Sequence, residues 1–280
     1  MLQRGAALAT GGVLSGAASS GLSGRGRFQI GACDWSLGLR GKPGALALAR
    51  EVGLDGVQVS MGSVEEDLPL RQPRVQHAYR DAAAAAGVRV GGVALDVLNQ
   101  VPYKSDPRTE RWVSDSIDVA RALGVGVVLL AFFERGDLRN DQPGQAEVVR
   151  RLRRVAPKAE ASGVILGIES WLSGADHLRL LDAVGSPRVQ VYYDVANSTQ
   201  MGYDITSEIR AIGGARLCEV HAKENGALLG QGRIDFAGVR RALDDIGYAG
   251  WLQIEGAVPK GQPILESYRE NARVMRGHFS

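Results

Sequence analysis

VYYDVANS, Val191 to Ser198, joins an apolar, β-rich run to a carboxylate, Asp194, and then to an amide, Asn197. Valine and tyrosine favour strands, and the run begins at Val189. An aspartate that closes such a run ordinarily caps the turn after it, because its side chain accepts from nearby backbone N–H groups. Whether Asp194 does more depends on what ends the neighbouring strands.

Seven other stretches read the same way: FQIGAC (28–33), GVQVS (56–60), VRVGGVAL (88–95), VGVVLLA (125–131), VILGIE (164–169), RLCEVH (216–221) and WLQIE (251–255). Most are near-continuous apolar runs, as strands covered on both faces should be. Helical patterns separate them. Residues 43–52 carry a proline near the start, and 75–87 end in glycine, which are start and stop signals. Residues 106–124, 146–163, 236–247 and 263–277 complete the series, and Pro157 should bend the third of these six helical segments from the end. Eight strands alternating with helices over roughly 250 residues predict an α/β fold, a single (β/α)8 TIM barrel. It spans residues 27–280. A doubly wound open sheet would place a GxGxxG turn after the first strand; DWSLGLRGKPG does not match it.

In such a barrel, functional side chains sit at the carboxyl ends of the strands. Strand five ends in Glu169, six in Asp194, seven in His221 and eight in Glu255. Each interval is one strand–helix unit, so four neighbouring strands deliver three carboxylates and an imidazole to one rim. Such a set would repel itself without a cation. Oxygen-rich ligation with one nitrogen points to one divalent ion, Mn2+ foremost, with Mg2+, Co2+ or Zn2+ as alternatives. Lys223 lies two residues beyond His221 and faces the same side of the strand, placed to neutralise an oxyanion or pair with a carboxylate. Trp35 follows strand one and either stacks on the flat face of a ligand or packs in the core. Glu134 and Asp96 follow strands four and three, as hydroxyl ligands or solvated loop acids.

Composition narrows the partners. The 280 residues carry a net charge of +2 with both signs dispersed, so nucleic acid is not the expected partner. The basic run RRLRR, Arg150 to Arg154, reads as a solvated helix face. Cys33 and Cys218 form no disulfide framework or CxxC motif and read as small buried hydrophobes. Residues 1–26 place Arg4 before a weakly apolar Ala/Gly/Leu stretch and small residues, the layout of an export signal. This predicts a periplasmic protein with a twin-arginine-like signal; a disordered tail without an address would leave it cytoplasmic. The stretch is too glycine-rich for a membrane span. A homo-oligomer stays open.

GIES, YYDVANS, VHAKEN followed by LGQGRIDF, and WLQIEGA together resemble the sugar phosphate isomerase/epimerase family, the xylose-isomerase-like TIM barrels. The similarity runs from Phe28 to the end and is strongest between Glu169 and Glu255. It implies that Glu169, Asp194, His221 and Glu255 bind one divalent metal, and that Glu169 and Glu255 flank the substrate carbon and move protons. It also implies a small-molecule sugar substrate. Asn197 stands where some epimerases of the family carry a substrate-touching histidine, and resembles relatives acting on phosphorylated pentuloses. The chemistry is consistent with that division: isomerisation and epimerisation both remove a proton beside a carbonyl, through an enediolate that a metal stabilises.

The expected function is therefore a metal-dependent isomerase or epimerase of a sugar or keto-sugar. The alternative is a lyase or dehydratase acting on a keto-sugar, inosose or keto-glycoside. A related endonuclease would need a histidine-rich three-zinc cluster. The chain has four histidines, and His77 and His278 fall on helical segments away from the rim. His177 reads as a surface bystander at a helix start. A non-catalytic sugar-binding barrel with a structural metal has no need of Glu255 as a second proton-transfer group.

Overall fold

The computed structural model describes Met1 and residues 27–280. The export-signal reading falls on residues 1–26 and so lies, apart from Met1, outside the described residues. Eight strands form a closed barrel in chain order: β1 (Phe28–Cys33), β2 (Gly56–Ser60), β3 (Arg89–Leu95), β4 (Val127–Phe132), β5 (Ile165–Ser170), β6 (Val189–Asp194), β7 (Leu217–Glu224) and β8 (Gly250–Gly256). Every neighbouring pair is parallel, and β1 closes against β8. The expected (β/α)8 TIM barrel is the observed fold.

Among the described residues the helices are α1 (Ala45–Glu51), α2 (Pro73–Ala86), α3 (Arg108–Leu123), α4 (Gln142–Ser162), α5 (Gly174–Val184), α6 (Val195–Gln200), α7 (Ile205–Ile212), α8 (Phe236–Asp245) and α9 (Ile264–Phe279). Aspartates cap α6, α7 and α8: the side chains of Asp194, Asp204 and Asp235 accept from the first free N–H groups, which would otherwise be unpaired. Gly124 ends α3 with φ of 69°, in the left-handed region that glycine enters without steric cost. α4 runs through Pro157 as one helix. One sequence expectation is corrected here. Arg151, inside the basic run read as solvated, is buried; its guanidinium pairs with Glu147 at 2.5 Å and donates to the Asp106 carbonyl at 2.7 Å.

Alternation along each strand splits its side chains between two environments. On β4, Val128, Leu130 and Phe132 join the large apolar layer between strands and helices. Val127, Leu129 and Ala131 form a small cluster with Ala94 and Tyr192 inside the barrel. The rest of that interior is polar: Gln58, Glu219, His221 and Gln253 are each 0–1% exposed. Among the described residues, no helix is long and apolar enough to cross a membrane.

Candidate functional site

Register places the four strand-end residues. Asp194 on β6 stands beside His221 on β7, and Lys223 on β7 stands beside Glu255 on β8. Ligand atoms of Glu169, Asp194, His221 and Glu255 lie within 4.8 Å of one another. Glu169, Asp194 and His221 are buried, while the Glu255 side chain is 18% exposed and faces the mouth. His221 Nδ1 sits 2.7 Å from Glu169 Oε1 and 3.6 Å from Glu255 Oε2.

Asp194 performs two tasks. Its Oδ1 accepts from the backbone N–H groups of Ala196 and Asn197, each at 2.8 Å, which is the cap the sequence suggests. Its Oδ2 is buried with no hydrogen-bond partner, 3.6 Å from Lys223 Nζ. A buried carboxylate oxygen left unpaired is costly. A cation held by this residue with Glu169, His221 and Glu255 would satisfy it, and the donor set of three carboxylates and one imidazole is chemically suited to a divalent ion.

The electrostatics are those of a charged cluster withdrawn from water. Burial pushes the Asp194 carboxyl up to about 7, only partly offset by Lys223. Burial works in the same direction on Glu255, but His221 and Lys223 outweigh it and hold that carboxyl down at about 2. For His221, burial opposes the charge, yet Glu169 and Glu255 raise the imidazole to about 9. Lys223 is raised likewise: Asp194 and Glu255 overcome its burial. Its ammonium donates to Glu255 Oε2 at 2.8 Å, and the Trp35 indole donates to Glu255 Oε1 at 3.0 Å. Glu255 is thus ionised and fixed by a hydrogen bond to each oxygen.

Above the cluster opens a cavity of about 340 Å3. Trp35, Glu134, Asn197, Lys223, Glu169 and Glu255 all line it, together with Asp96, Phe133 and Trp171. Glu169 and Glu255 belong to both the cluster and the cavity lining, and so join the candidate metal ligands Asp194 and His221 to the candidate substrate contacts. Glu134 is exposed, at φ of 49° in the tight turn after β4. Asp96 is no solvated loop acid: Arg40 pairs with it at 2.5 Å and Ser60 donates to it at 2.8 Å. His177 is corrected too. It is buried, with Nε2 at 2.9 Å from Ser170 Oγ and Nδ1 at 3.1 Å from the Ser173 carbonyl.

Residues below the rim escape the sequence reading. Cys33 is buried as expected but touches polar atoms, with Sγ 3.3 Å from Gln58 Oε1 and 3.4 Å from His221 Nε2. Gln58, Tyr192, Glu219 and Gln253 fill the barrel beneath the site. A signal for three of them exists: Tyr192, Glu219 and Gln253 each stand two residues before Asp194, His221 and Glu255, on the same face of the same strand.

A family model for the xylose isomerase-like TIM barrel matches residues 46–278. The chain is 29% identical over 225 residues to 2-epi-5-epi-valiolone 7-phosphate 2-epimerase of Actinoplanes sp., covering 77% of this chain and 80% of that protein. It is 26% identical over 251 residues to the putative L-ribulose-5-phosphate 3-epimerase SgbU of Escherichia coli K12, covering 80% of this chain and 87% of the relative. Among solved structures, D-psicose 3-epimerase of Clostridium cellulolyticum H10 superposes with a TM-score of 0.76 at 18% identity, over 90% of this chain and 99% of the other; this similarity shows a shared fold. With the family model matched along most of its length, on a closed barrel of the corresponding architecture, the chain belongs to the xylose isomerase-like TIM barrel family.

Proposed function

We propose that the chain is a divalent-metal-dependent epimerase or isomerase of a neutral keto-sugar, in which Glu169 and Glu255 move a proton on the carbon beside the carbonyl. The observation that carries this is Asp194 Oδ2, a buried carboxylate oxygen with no hydrogen-bond donor and only the Lys223 ammonium at 3.6 Å, on a residue whose ligand atom gathers with those of Glu169, His221 and Glu255. These four would hold the ion, Mn2+ being the best match to their donors. When bound, it supplies a Lewis acid that polarises the substrate carbonyl.

The protein side chains do the rest. Glu255 is ionised and oriented by Lys223 and Trp35, as a general base must be. It or Glu169, as the carboxylate, takes the proton, leaving an enediolate. The other glutamate, in its acid form, returns one: to the opposite face of the same carbon for epimerisation, or to the neighbouring carbon for isomerisation, where the hydroxyl proton also passes between the two oxygens. Lys223, within reach of the cavity, counters charge developing on oxygen. Trp35 offers an aromatic wall to the sugar's C–H face, and Asn197 and Glu134 offer hydrogen bonds to hydroxyls.

The lining favours a substrate without phosphate. Lys223 is the one cation among the lining residues, already engaged by two carboxylates, while Asp96, Glu134, Glu169 and Glu255 are acidic. With Glu169 and Glu255 committed to the ion and Lys223 to two carboxylates, the lining residues offer a phosphate dianion no further cation.

The test is a panel of free and phosphorylated keto-sugars incubated with the Mn2+-loaded protein in deuterated water, followed by NMR. Deuterium beside the carbonyl of an epimer or isomer, from free keto-sugars, is the expected result. A dehydrated product would move the chain to the lyase class. Turnover of phosphorylated substrates alone would overturn the neutral-substrate assignment, and no incorporation at all into any substrate would overturn the reaction class.

A further inference from the structure

The barrel beneath the site holds a hydrogen-bonded column with a direction. His221 Nε2, the nitrogen turned away from Glu169 and Glu255, lies 2.9 Å from Gln58 Oε1. Gln58 Nε2 donates to Tyr192 Oη at 3.0 Å. Tyr192 Oη donates to Glu219 Oε2 at 3.2 Å, and Gln253 Nε2 reaches the same oxygen at 3.4 Å. All these side chains are buried.

Each link constrains the next. The Glu219 oxygen accepts, so the Tyr192 hydroxyl spends its proton there. Tyr192 must then accept from Gln58, which fixes which end of that amide is nitrogen. The Gln58 carbonyl oxygen consequently faces His221 Nε2 at 2.9 Å, a contact that is attractive only if Nε2 carries a proton; the Cys33 thiol, 3.3 Å from the same oxygen, is a second and weaker donor. Space for the column is made by missing side chains. A Cβ at Gly31 would fall 2.1 Å from Gln253 Oε1, and one at Gly167 would fall 3.2 Å from Tyr192 Cβ.

We infer that Gln58, Tyr192 and Glu219 are positioning residues that hold His221 with its proton on Nε2 and its Nδ1 lone pair turned to the cation. This rests on the metal reading above. A histidine ligand whose second nitrogen is hydrogen-bonded in this manner has a fixed ring orientation and a more basic ligating nitrogen. The column reaches from β7 through β2 and β6 and back to β7 and β8, so the ligand's geometry is set by the barrel rather than by its own strand.

The test needs no substrate. Protein labelled with 15N-histidine and loaded with diamagnetic Zn2+ reports the His221 tautomer by long-range 1H–15N correlation, and calorimetry reports Mn2+ affinity. The wild type should show His221 protonated at Nε2 and ligated through Nδ1. Gln58→Leu should lower Mn2+ affinity by about 10- to 100-fold and lose the Nε2 proton signal. Tyr192→Phe, nearly isosteric, should lower affinity less and in the same direction. Gln58→Glu, which keeps an acceptor at Nε2, should recover part of the loss. Leu130→Ala, which weakens only the outer apolar layer, should leave affinity unchanged. A wild type ligated through Nε2, or folded Gln58→Leu and Tyr192→Phe proteins with wild-type affinity and spectra, would overturn the column's role alone. Absence of any ion binding by the folded wild type would overturn the metal reading with it.

Discussion

The two faces of each strand obey different chemistry. On β7, Val220 and Ala222 point outward into the apolar layer under the helices. Glu219, His221 and Lys223, the residues between and beside them, face the barrel axis, where they pair with glutamates, an amide and a phenol. The outer layer is continuous and close-packed, and its energy comes from removing apolar surface from water. The inner column keeps charged and polar groups out of water, an arrangement that favours function over stability. Fold and chemistry thus alternate residue by residue along the same five to eight positions.

Substitutions on the two faces should separate cleanly. The largest effect belongs to the inner face. Glu255→Gln keeps the shape but removes the charge and the proton acceptor, so turnover should fall by about 10^2- to 10^4-fold, with the melting temperature near that of the wild type. Steady-state rates and thermal melts of the same preparation decide it, and a large drop in melting temperature without loss of turnover would reverse the division. On the outer face, Leu130→Ala opens a cavity in a fully buried position and should cost about 2–5 kcal/mol, read by urea denaturation. Turnover per folded molecule should stay unchanged; a specific loss of turnover would show that the two faces are coupled.

His177 sharpens the comparison because it is an ionisable group on the outer side, packed on Ser170 from α5. Burial holds its imidazole down at about 4, from 6.5 when free. The unfolded chain therefore takes up this proton first as pH falls. The stability His177 contributes is complete above pH 6.5 and is lost as pH drops toward 4, by up to about 3 kcal/mol. The difference between wild type and His177→Gln, measured by denaturation at pH 7 and pH 4.5, isolates this slope from that of other groups. Equal pH dependence in the two proteins would contradict it.

How much was legible follows from the same alternation. The strands were visible because both of their faces are buried and mostly apolar, and observed boundaries fall within three residues of the expected ones. The four rim residues were visible because each polar group ends an apolar run at one strand–helix interval. α5 was visible only as a helix start at His177, and α6 and α7 were not visible, since they have six and eight residues, too few for a helical period to stand out. Gln58, Glu219 and Gln253 were hidden as isolated polar letters inside apolar runs, and only the closure of the barrel brings them together. His177 was misplaced because depth is set by tertiary packing: charged Asp176 and Arg179 beside it suggest surface, while the helix turns His177 itself inward.

The central claim is that the ends of β5 to β8 form one cation site. Calorimetric titration of Mn2+ into chelator-treated wild type and into Asp194→Asn tests it most directly. The asparagine keeps an oxygen to cap α6 but removes the charge at the unpaired position. One ion per chain in the wild type, with binding lost or strongly weakened in the variant while the fold persists, is the predicted result. Equal binding by the two proteins, or none by the folded wild type, would contradict it.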